Sequence, residues 1–116
     1  MQARPMSAAW ENARVAARLR ALLSGQGDLS AVAARLHVSE TALRMSVDEM
    51  SPYPTMDVLI AVIREFGVDP NWLFTGEYDA ATHRAALESR TDELPTVLRR
   101  VVHDTPSTPL RIVREA

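Results

Sequence analysis

Apolar residues along most of this chain recur three and four positions apart, the spacing of helices with one buried face. Over residues 7–24, Val15, Leu19, Leu22 and Leu23 fall on one stripe, and Trp10 closes one end of it. Alanine and leucine, both strong helix formers, fill most of the positions between. Gly25 then offers a left-handed stop. Asp28 is placed to cap a second, short helix to Leu36, whose Leu29, Val32, Ala33 and Leu36 share a face. Ala33 is small enough to let another helix backbone come close. His37-Val38 turns the chain, and Ser39 can cap a third helix running to about Met50.

A proline on each side of Tyr53 forces extended backbone and separates the third helix from the fourth. Thr55 caps that fourth helix, with Met56, Leu59, Ile60, Ile63 and Phe66 at core spacing and Gly67 as its stop. Asp69-Pro70 is the clearest local signal, an acceptor at the cap followed by proline where its missing N–H costs nothing. The short helix that follows buries Trp72 and Leu73 and ends at Gly76. The expected core is Leu19, Leu22, Val32, Leu36, Leu43, Val47, Leu59, Ile63, Trp72 and Leu73.

Beyond Gly76 the pattern loosens. Residues 80–89 read as a helix with Ala81, Ala85 and Leu87 on its apolar side. Residues 93–103 carry a cleaner stripe of Leu94, Val97, Leu98, Val101 and Val102, although paired valines also suit a strand. Residues 104–109 form a proline-containing linker, and 110–114 read as an edge strand or a tail.

The turn at 37–38 joins two short helices, which is the geometry of a helix-turn-helix. Val38-Ser39, Pro54-Thr55, Leu59 and the run 66–76 resemble the repressor-like domains of the Xre and lambda-repressor family. The resemblance spans about residues 10–76 once the first helix and Ala33 are included. It implies an all-α, lambda-repressor-like five-helix DNA-binding domain over 7–76, with a C-terminal helix and tail over 77–116. It also implies a transcriptional repressor whose helix at 28–36 positions the helix at 39–50 in the major groove of double-stranded DNA. Where most members close the recognition helix with glutamate, any residue and glycine, this chain has Val47, Asp48 and Glu49. Without that glycine the helix is expected to run on toward Pro52.

Leu43 and Val47 lie one turn apart and should face inward, leaving Glu40, Thr41, Arg44, Met45 and Asp48 outward. Arg44 has the donors for guanine, Thr41 can touch a base or a thymine methyl, and Glu40 can accept from cytosine. Arg18 and Arg35 are candidates for phosphate contact. Charge pulls the other way. The chain has 13 basic residues, all arginine, against 15 acidic, and neither half is basic. Glu40, Asp48 and Glu49 would repel phosphates, so a second reading stays open: a protein-interaction module on a helix-turn-helix core that no longer binds DNA. Arg18, Arg35 and Arg44 gathered on one face would favour DNA. An unbroken acidic face from Glu40 and Asp48 would favour the module.

Enzyme chemistry finds no footing. His37, His83 and His103 lack metal-ligand spacing, cysteine is absent, and Gly25-Gln26-Gly27 has neither the preceding strand nor the following lysine of a phosphate loop. Neither metal nor cofactor is expected. The N-terminus has no signal-peptide stretch and no apolar run reaches the roughly 20 residues of a membrane span. With the lack of cysteine, this fits a cytoplasmic protein. A homodimer is expected through 77–116, where the stripe at 94–102 needs a cover and two-fold closure is the commonest assembly.

Overall fold

Caps and stops divide the chain as the apolar spacing requires. The computed structural model describes residues 4–104, with side chains over 11–102. Seven α-helices occur in that stretch: α1 (Arg4–Leu23), α2 (Leu29–Leu36), α3 (Glu40–Val47), α4 (Met56–Phe66), α5 (Pro70–Thr75), α6 (Ala80–Glu88) and α7 (Leu94–Asp104). A single 3₁₀ turn, Thr91–Glu93, leads into α7, and no strand occurs among the described residues. None of these helices is long and apolar enough to cross a membrane. Asp28, Ser39, Thr55 and Asp69 each accept a hydrogen bond from a backbone amide in the first turn of the helix they precede. Such caps satisfy donors that the helix itself leaves unpaired.

The third helix is shorter than its sequence suggested, ending at Val47 rather than near Met50. The cause is Asp48. Its backbone is extended (φ −60°, ψ 137°), and its carboxylate accepts the amides of Met50 (3.0 Å) and Ser51 (2.6 Å). An aspartate that bonds the following amides offers the chain an alternative to continuing the helix. Glycine is therefore not needed to end it.

All seven helices share one core. Val15 and Leu19 of α1, Leu43 of α3, Leu59 of α4, Leu73 of α5, and Leu94 and Leu98 of α7 are fully enclosed. α1 packs on α3 and α5, while α7 lies against α4, α5 and α6. Three expectations change. Leu22 and Trp72 sit only half-buried at the core margin, and in α6 it is Ala86 that faces inward while Leu87 is exposed. The stripe of α7 is covered within its own chain: Leu94, Val97, Leu98 and Val101 are buried and Val102 packs beside them. That stripe is not a free face for a second copy, so the physical motive for a dimer through it is gone. The side chains of Trp10 and His103, and all of residues 105–116 with the supposed edge strand, lie outside the described residues.

The turn between α2 and α3 holds the one left-handed residue among the described residues that is not glycine, His37 (φ 61°). Its amide bonds Ala34 O (3.2 Å) and the amide of Val38 bonds Ala33 O (3.0 Å), closing α2. A side chain in this conformation carries a backbone cost that glycine avoids. His37→Gly is accordingly expected to raise stability by about 0.5–1 kcal/mol in urea unfolding, the relief outweighing glycine's extra freedom in the unfolded chain. A destabilised variant would mean that His37 contributes contacts worth more than the strain it carries.

Candidate nucleic-acid interface

α3 is the element that carries the proposed reading residues, and at eight residues it is too short to be stable alone. Its N-terminus is capped by Ser39 Oγ, which accepts the Ala42 amide at 3.0 Å. Its buried face is Leu43, Ser46 and Val47. The C-terminal turn is fixed from three directions. Arg20 of α1 donates to Val47 O (2.8 Å), the Tyr53 amide donates to Met45 O (2.9 Å), and Ser46 Oγ donates to Ala42 O (2.8 Å). Ser46 Oγ also accepts the Thr55 amide (3.1 Å), which ties α3 to the cap of α4. Carbonyls that the helix end leaves open are thus satisfied by other parts of the fold.

The outward face is the expected one. Thr41, Arg44, Met45 and Asp48 are exposed, and Glu40 is partly so. Within that face Arg44 and Glu40 are paired. Arg44 Nε and Nη2 both donate to Glu40 Oε2, at 2.9 and 2.5 Å, across one helical turn. Arg44, and after it the Ser30 hydroxyl of α2, holds the Glu40 carboxyl below the usual carboxylate range. The Glu40 charge is therefore compensated in place, and α3 presents a neutral pair followed by the acidic Asp48 and Glu49. Arg20 lies 3.9 Å from Glu49, whose side chain is 77% exposed.

The other two candidate arginines serve the fold. Arg18 Nη1 donates to Leu73 O (3.0 Å), bracing α1 against α5. A Cβ on the left-handed Gly76 would stand 2.7 Å from Arg18 Nη2, so glycine there makes room for the guanidinium. Burial, and then the nearby Arg14, pull the Arg18 pKa below its ordinary value, and Glu11 offsets part of this. Arg35 bridges Glu65 Oε2 (2.9 Å) and Gln26 Oε1 (2.7 Å), with its guanidinium 5.7 Å from the Phe66 ring centre. It thereby links α2 to the end of α4 and to the loop after α1. Arg18, Arg35 and Arg44 thus share no partner, each being bound to a different element of the fold. Nor is the acidic face unbroken, because Arg44 interrupts it.

Sequence reading missed Arg20 and Ser46, which position α3 without facing outward. Ser46 had a signal: it follows Leu43 by three residues and so falls on the buried stripe. Arg20 had none, because spacing within α1 says nothing about which carbonyl of α3 lies opposite.

The chain matches no family model, no curated protein and no solved structure. The reading of this surface therefore rests on its own chemistry. The Glu40–Arg44 pair gives a direct check. Because Arg44 favours the charged carboxylate, the pair's stabilisation is present above the ordinary carboxylate range and lost as pH falls through the lowered folded value. A carbon-detected NMR titration should find the Glu40 carboxyl titrating below that range and moving back up in Arg44→Ala. An identical midpoint in both proteins would show that the pair does not form in solution.

Proposed function

We propose that this chain binds double-stranded DNA through α3, as a repressor-type transcriptional regulator with a lambda-repressor-like helix-turn-helix. One observation carries the reading. Two eight-residue helices, α2 and α3, meet at the three-residue turn 37–39, and the second is clamped along one face while Thr41, Arg44 and Met45 stand clear on the other. A helix anchored on one side with accessible side chains on the other is what the major groove admits.

Magnitudes allow Arg44 to exchange Glu40 for a base. Exposed one-turn ion pairs are among the weakest interactions in a protein. A bidentate arginine–guanine contact provides about 1–3 kcal/mol of discrimination. Guanine can therefore take Arg44 from Glu40, while the apolar parts of Thr41 and Met45 suit thymine methyls and Glu40 can accept from a cytosine amino group. With Arg18 bonded to Leu73 O and Arg35 to Glu65 and Gln26, two of the three arginines proposed for DNA contact already have partners. Random-sequence binding should be weak and its salt dependence shallow, with a log–log slope no steeper than about −3.

A second reading, an interaction module without DNA, is favoured by Asp48 and Glu49 at the end of α3 and by the internal partners of Arg18 and Arg35. Fluorescence anisotropy with duplexes selected from genomic fragments, titrated at several salt concentrations, separates the two. The selected duplex should bind, and Arg44→Ala should lower its affinity about 5- to 100-fold more than that of random duplex. If the wild-type protein binds no duplex even at low salt, DNA binding fails and the interaction module stands.

A further inference from the structure

α3 carries its cation and its acid as one unit, so a duplex meets Arg44 with its charge already offset by Glu40. Nε and Nη2 of Arg44 both donate to a single oxygen, Glu40 Oε2, which leaves Nη1 and the second Nη2 hydrogen as its remaining donors. The Ser30 hydroxyl of α2 favours the charged form of the same carboxylate, after Arg44. Both side chains are accessible, with 59% of Arg44 and 41% of Glu40 exposed, so nothing else in the fold prevents either from meeting DNA.

We infer that Glu40 is a selectivity gate: it offsets the Arg44 charge that a phosphate would otherwise attract, and is itself satisfied only at a site that also gives its carboxylate a donor. This rests on α3 being the DNA-reading surface. Phosphate offers Arg44 a partner but leaves Glu40 unpaired against a polyanion. Guanine takes Arg44 through O6 and N7, and a cytosine N4 amino group takes the carboxylate. The two side chains leave α3 one turn, about 5.4 Å, apart. The preferred site is therefore a guanine with a cytosine within about two base pairs of it, read in the major groove. Glu40 is in this reading a specificity determinant that lowers binding to the wrong duplex more than it raises binding to the right one.

Glu40→Gln keeps the size and a hydrogen-bonding side chain and removes the charge. Circular dichroism first confirms that the variants retain the wild-type helix content. In anisotropy titrations with random duplex, Glu40→Gln should bind about three- to tenfold more tightly than wild type, with a salt slope steeper by about 0.9 for the one arginine set free. Its preference for the selected duplex over random should fall. In an Arg44→Ala background the same change should leave the slope where it was and give a smaller gain. Equal gains in both backgrounds would overturn the gate, since Glu40 would then act only by repelling phosphates. An unchanged slope and affinity for Glu40→Gln in otherwise wild-type protein would overturn it too. Wild-type protein that binds no duplex removes the gate together with the reading beneath it, and is told apart from the other failures by that control.

Discussion

Ser46 has no solvent exposure, and its hydroxyl makes two bonds that between them fix α3. It donates to Ala42 O one turn back and accepts the Thr55 amide, so the end of α3 and the beginning of α4 are one unit. Arg20 adds a third bond from α1 by covering Val47 O. An eight-residue helix gains little from its own hydrogen bonds, and these contacts, with Leu43 and Val47 in the core, supply what it lacks. The outward side chains of α3 therefore start from a rigid base. Loosening Ser46 would blur their positions before it unfolded anything else.

Rigidity and charge lead to different kinds of recognition. A surface dense in arginine binds nucleic acid broadly, through counterion release, and reads sequence second. Here Arg18 is spent on Leu73 O, Arg35 on Glu65 and Gln26, Arg20 on Val47 O, and Arg44 on Glu40. Only the last of these pairs lies wholly on the outward face. In the proposed reading these four arginines have little left to give phosphates, and base edges carry more of the contact. The proposed specificity follows from the prior engagement of these four arginines.

The helices were legible because their signals are local. Asp28, Ser39, Thr55 and Asp69 cap where their sequence positions suggest, and Gly67 and Gly76 close α4 and α5 in the left-handed conformation. The outward set on α3 was also legible, because helical spacing alone separates it from Leu43 and Val47. What sequence spacing did not reveal depends on which elements meet. The end of α3 was misplaced because a missing glycine was read as continuation, when the Asp48 carboxylate supplies the stop. The role of α7 turned on the same kind of contact. Its stripe looked unpartnered only while α4, α5 and α6 were not known to lie against it. The fates of Arg18 and Arg35 were equally hidden, since each finds a partner more than 25 positions away along the chain.

The claim that joins these points is that α3, and not another part of the molecule, meets DNA. Backbone amide NMR of the isotope-labelled protein, with a selected duplex added stepwise at low salt, tests it residue by residue. Shifts concentrated on Thr41, Arg44 and Met45, with smaller ones at the start of α2 and none along α6 or α7, are the expected result. Shifts centred on α6 and α7, with α3 unmoved, would contradict it.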